Sequence, residues 1–142
     1  MEALGRLLNP VAVGDGVYVN LRDAGGVTFL CYLAGAAGDT YTLTEAKDAS
    51  GTGAQVLATI TRYHTSNGVG GVWTLHTQAA ASTVVTAAAT AENGMVVEVE
   101  QAELSDTYKY VKLTSTGAGL VTPILRDLEV QRKPANLASV VA

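Results

Sequence analysis

Apolar and polar residues alternate with a period of two along most of this chain, as in strands that turn one face to a core. Val17, Val19 and Leu21 alternate with Tyr18 and Asn20, and Asp23, Ala24, Gly25 and Gly26 lead into the apolar run 27–33, which predicts a hairpin. Tyr41, Leu43 and Glu45 alternate with Thr42 and Thr44 in a further strand, closed by a Gly/Ser/Asp-rich loop at 47–53. A strand over 56–64 sets Val56, Ala58 and Ile60 against Leu57, Thr59, Thr61 and Tyr63, so both of its faces are expected to be covered. After a flexible turn at 67–71, Trp73 and Leu75 share one face of a strand over 72–77. Trp73, the sole tryptophan, is the leading core candidate.

In 79–91 alanine favours helix while Thr83 to Thr86 favour strand, and a short strand inside a loop is expected. Met95, Val97 and Val99 oppose Val96, Glu98 and Glu100, a turn or short helix follows at 101–106, and 108–114 is another strand. A last strand over 120–131 sets Leu120, Ile124, Leu128 and Val130 against Pro123, Asp127, Glu129 and Gln131. Pro123 has no N–H to give, which places this strand at a sheet edge or at a bulge. At the other end Leu4, Leu7 and Leu8 stand at helical spacing until Asn9 and Pro10 stop the pattern. The expected architecture is all-β: an N-terminal arm or short helix (1–10), one β-sandwich or jelly-roll domain of about eight strands (11–131) and an extended C-terminal tail (132–142).

The 142 residues suit one core. Only 15% of them are charged, against roughly a quarter in ordinary soluble proteins. A surface so short of charge repels copies of itself weakly, which suits a protein packed against neighbours. The net charge of -4, with scattered cations, argues against nucleic acid as a partner. Residues 64–91 carry no Asp, Glu, Lys or Arg, yet His64, Asn67, His76, Gln78 and three glycines break any apolar run long enough to span a bilayer, so no membrane partner is expected. Residues 1–10 do not have the form of a signal peptide. Cys31, the sole cysteine, lies in an apolar run and reads as a small buried hydrophobe.

No residue set points to catalysis, a cofactor or a metal. Glu98 and Glu100 fall on one face of a strand at a spacing that a glycosidase pair could use, but the apolar face opposite marks them as the wet side. His64 and His76 have no third ligand at a recognisable spacing. The loop Ser50-Gly51-Thr52-Gly53 lacks the ending of a P-loop. The chain is read as non-enzymatic.

The ordered series Asp39, Thr42-Leu43, Glu45-Ala46 and Gly51-Thr52-Gly53-Ala54, followed by Val96-Val97-Glu98-Val99, Ala102-Glu103-Leu104, Tyr110-Val111, Arg132 and Pro134, resembles a family of small structural proteins of tailed bacteriophages encoded near the major capsid protein. The likeness spans 27–134 and transfers no residue-level site. It implies a virion protein on the capsid surface, made in the host cytoplasm: a decoration or minor capsid protein that partners the major capsid protein and itself, commonly as a homotrimer. The contact candidates offered by the sequence lie at its ends, Leu4, Leu7, Leu8 and Pro10 in the arm, and Arg132, Pro134, Leu137, Val140 and Val141 in the tail. Two alternatives stay open. One is a carbohydrate-binding or adhesion module stacking sugars on Trp73 and some of Tyr18, Tyr41, Tyr63, Tyr108 and Tyr110; the other is a phage tail or connector component.

Overall fold

The computed structural model describes residues 16–129 and Val141. Ten strands run through it: β1 (Val19–Asn20), β2 (Ala24–Tyr32), β3 (Thr40–Ala46), β4 (Gln55–Val56), β5 (Ile60–Ser66), β6 (Thr74–Ala81), β7 (Thr83–Val85), β8 (Gly94–Glu100), β9 (Tyr110–Ser115) and β10 (Leu120–Leu128). Among the described residues, helical structure is limited to two 3-10 turns, Thr90–Glu92 and Gln101–Glu103. The expected all-β class holds, with ten strands in place of about eight.

The strands form two antiparallel sheets. Sheet A has the order β1-β9-β3, with the far edge of β3 shared between β4 and β7; sheet B has the order β10-β2-β8-β5-β6. The inward positions of both sheets meet in one apolar cluster. Val19, Tyr41, Leu43, Val84, Val111 and Leu113 come from sheet A, and Val27, Phe29, Cys31, Met95, Val97, Val99 and Val121 from sheet B. Two layers closed on one core make this a β-sandwich. Cys31 is buried within β2, as its apolar neighbours predicted.

Four expectations are corrected by the structure. The hairpin expected over 17–33 does not form: β1 pairs with β9 and β2 with β8 and β10, so the chain crosses between layers at 21–23. Alternation gives each segment an inward face without naming its neighbour, and here both segments face the core from opposite sides. The strand expected over 56–64 is likewise two strands in different sheets. Leu57 and Ile60 are both buried, and residues three apart cannot share one face of one strand. The Leu57 N–H donates to the Leu43 carbonyl (3.1 Å) as the chain passes from sheet A towards sheet B.

Trp73 lies just before β6 and is 46% exposed, so it is not a core residue. Strand β6 has a neighbour on one side only, and its register sets Leu75 opposite His64, outside the core. In β10 the inward residues are Val121 and Pro123, opposite Cys31 and Phe29, while Leu120 points out; the alternation was assigned in the opposite phase. Strand β10 does lie at the edge of sheet B, where the missing N–H of Pro123 costs no ladder bond.

Candidate functional site

Among the described residues two carboxylates lie inside this sandwich, and both hold loops. Glu45 continues the inward phase of Tyr41 and Leu43 and is fully buried. It accepts hydrogen bonds from Gln55 Nε2 (2.6 Å), from the Ser105 N–H (2.8 Å) and from the Ser105 hydroxyl, so it ties β4 and the loop after the second 3-10 turn to β3. Asp39, also buried, accepts from the N–H groups of Thr40 (2.7 Å), Gly117 (2.9 Å) and Gly119 (3.2 Å), and from the hydroxyls of Thr116 and Ser115. This fixes the β9–β10 turn. A side chain at Gly119 would run into Asp39 Oδ2 and the Tyr41 hydroxyl, so the close approach requires glycine. Burial raises the pKa of Asp39, but hydrogen bonds from Ser115, Thr40, Thr116 and Gly117 outweigh it and hold the carboxyl below its ordinary range. The sequence signal for Glu45 was its phase, which put an acid in line with Tyr41 and Leu43.

Asp48 and His76 among the remaining polar candidates are also engaged. In the 48–53 loop, Asp48 accepts the N–H groups of Ser50 (2.9 Å) and Thr52 (3.0 Å), so those two donors are directed at the chain's own carboxylate. Hydrogen bonds from the Thr52 hydroxyl and N–H hold its pKa below the ordinary value. His76 stacks on Tyr63 with ring centroids 4.9 Å apart, and its Nε2 lies 2.8 Å from Thr65 Oγ1. His64 sits on β5 opposite Leu75. Among the described residues, no three His, Cys, Asp or Glu side chains are placed to hold a metal ion.

The outer face of sheet B is divided by register into two halves. One row crosses all five strands: Thr122, Leu30, Val96, His64 and Leu75 stand opposite one another in sequence. The adjoining row holds Leu120, Tyr32, Gly94 and Ser66, and its middle is covered by the chain's own 67–71 turn: Gly94 and Ser66 are buried and Gly68 lies against the Tyr32 ring. These rows carry no formal charge, and they expose Leu30 (40%), Leu75 (55%) and Leu120 (68%). Trp73, Val72 and Val69 extend the apolar surface into the loop before β6.

Further along the same strands the face becomes ionic. Arg62, Glu98, Glu100 and Glu103 line a shallow groove of about 200 Å³ with Thr59 and Tyr63. Arg126 reaches over Gly26, which stands between it and Glu100 in the ladder, to bond Glu100; it also bonds Asp127 (2.9 Å). The bond to Glu100 is the main cause of the raised pKa of Arg126, against the opposing effect of burial. Glu100 and Glu103 form a capping box on the second 3-10 turn. Glu98 and Glu100 thus project on the wet side, as alternation predicted.

Of the contact candidates read from the sequence, Leu4, Leu7, Leu8, Pro10, Arg132, Pro134, Leu137 and Val140 lie outside the described residues. Val141 packs half-buried against the domain's own core cluster. The tyrosines proposed as sugar platforms are not brought together as one surface: Tyr18 and Tyr41 are buried, and Tyr63 is covered by His76. Sequence reasoning missed the apolar half of sheet B. Leu30 reads in sequence only as part of the apolar run 27–33, and it is aligned with Leu75 through Val96 and His64, pairings that no local pattern shows. Among the described residues, no helix is long and apolar enough to cross a membrane. No family model matches the chain, and neither a curated protein nor a solved structure matches it.

Proposed function

We propose that this protein is a non-enzymatic structural component of a tailed-phage head, a cement protein whose copies bridge subunits of the shell from outside. The observation that carries the reading is the distribution of side chains: the polar groups most deeply buried hold loops, while Leu30, Leu75, Leu120 and Trp73 stand exposed on the outer side of sheet B and in the loop before β6. Such a surface is built for adhesion to other surfaces. Many weak contacts repeated over a shell add through effective concentration, so no single contact has to be strong. The resemblance over 27–134 supplies the phage context and the major capsid protein as partner.

Co-expression with the major capsid protein of a tailed phage that carries this chain tests the proposal. The chain is expected to sediment with assembled shells and to give ordered density on their outer surface in cryo-microscopy. A chain that stays in the supernatant, or that lies along a tail, overturns the head assignment.

A carbohydrate-binding module is the second reading, favoured by the exposure of Trp73. A glycan array read by Trp73 emission separates the two, since a sugar ligand quenches or shifts that emission and a shell protein's contacts do not require one.

A further inference from the structure

The chain contains two Asn-Gly dipeptides, Asn67-Gly68 and Asn93-Gly94, and the fold treats them oppositely. An asparagine followed by glycine is open to attack on its side-chain amide by the next backbone nitrogen, because glycine has no Cβ to block the approach. Whether the attack occurs depends on how free the two groups are to meet.

Asn93 and Gly94 are locked. Gly94 is buried at the start of β8, between Tyr32 of β2 and Ser66 of β5. The Asn93 carbonyl, part of the peptide that would have to turn, accepts the Leu33 N–H (2.9 Å), and the Asn93 side-chain amide donates to the Gly35 and Leu33 carbonyls.

The 67–71 turn is different. Residues 67–70 are exposed and lie outside any strand, and Gly68 has a left-handed backbone (φ 72°). Asn67 Oδ1 accepts the N–H groups of Val69 (3.0 Å) and Gly71 (3.0 Å). Gly71 fits against that amide only because it lacks a side chain, since a Cβ there would run into Asn67 Oδ1. Two backbone donors therefore sit on the oxygen where negative charge develops when Cγ is attacked, the arrangement that stabilises an oxyanion in acyl transfer. The Gly68 N–H is held by the Ser66 hydroxyl (3.1 Å), a side-chain bond that has to yield, and not by a sheet ladder.

We propose that Asn67 is a site of self-modification, at which the native turn converts the asparagine to aspartate and isoaspartate. The Gly68 nitrogen gives its proton to a solvent base and bonds to Asn67 Cγ. The Cγ–Nδ2 bond then breaks, and Nδ2 leaves as ammonia with a proton from water, so that a cyclic succinimide remains. Water opens the ring at Cγ to give aspartate, or at the main-chain carbonyl of residue 67 to give isoaspartate; nothing is oxidised or reduced. Either product puts a carboxylate into 64–91, a stretch with no formal charge. Isoaspartate also lengthens the main chain of a turn that sets Gly68 against the Tyr32 ring.

The test is to age the full chain, folded in buffer and in parallel unfolded in urea, and to read each dipeptide by peptide mass and by isoaspartyl methyl transfer. In the folded protein 67–68 is expected to gain the mass of an amide-to-acid exchange at least as fast as in urea, with isoaspartate present. Its rate should rise about tenfold per pH unit above neutral, since base removes the Gly68 proton. The 93–94 dipeptide is expected to stay intact until the chain is unfolded. Asn67→Gln, whose longer side chain closes a ring less readily, should abolish the change at 67 while the variant stays folded by circular dichroism. A 67–68 dipeptide that persists in the folded protein, or reacts more slowly there than in urea, overturns the proposal. So does a folded 93–94 dipeptide that keeps pace with it, or aspartate formed without isoaspartate, which is the mark of direct hydrolysis.

Discussion

Strand β3 and the hairpin of β5 and β6 stand at opposite extremes of the same sandwich. Strand β3 is central in sheet A, and its inward face carries an acid beside Tyr41 and Leu43; β6 is outermost in sheet B, and the apolar residues around it face water. The difference teaches that polarity in this protein does not report depth. A carboxylate is stable inside when every nearby donor is aimed at it, and a leucine or tryptophan stands outside when register leaves it no neighbour across the core.

Four substitutions break or sharpen that contrast. Glu45→Ala is expected to have the largest effect, about 3 kcal/mol of lost stability in urea unfolding, because the donors from Gln55 and Ser105 lose their acceptor and a buried void remains. Asp39→Asn should cost about 2 kcal/mol at neutral pH, since an amide nitrogen would face N–H and O–H donors. It should also flatten the acid limb of the stability curve. The folded-state pKa of Asp39 lies below its ordinary value, so the stability it gives is complete above about pH 5 and is lost as the pH falls through the folded value. An unchanged acid limb in Asp39→Asn would show that the carboxylate is not what fixes the β9–β10 turn.

Smaller effects are expected outside. Arg126→Ala, which removes a partly exposed ion pair to Glu100 and Asp127, should lower stability by less than about 1 kcal/mol, and less still in high salt. Trp73→Ala should change it least, by about 0.5 kcal/mol or less in dilute solution. The wild-type tryptophan should emit in the red and be open to a soluble quencher. A loss of several kcal/mol in Trp73→Ala would collapse the contrast, since it would make the residue part of the core.

Period-two alternation made β2, β3, β8 and β9 legible, and the absent N–H of Pro123 marked an edge. What alternation lacks is a partner and a phase. It could not tell that Val19 and Val27 enter the core from different sheets, nor that Val121 and not Leu120 points inward, because both depend on pairings across most of the chain. Trp73 was misplaced for a related reason: its apolar neighbours fit a core strand as well as an outer loop, and only the register of β6 separates them. The apolar half of sheet B was hidden because its rows are assembled from five strands, none of which stands out alone.

Strand β1 finds its partner in β9, and the longest ladder of sheet B joins β2 to β10. Sheet A can therefore not close until β9 has been made, nor sheet B until β10 has. Early strands wait with unpaired edges while the late ones are made, and the loops closed by these pairings are long. Pairings between residues so far apart in the chain make folding slow for the domain's size, and the interval before closure is when its chains are most exposed to mispairing with one another.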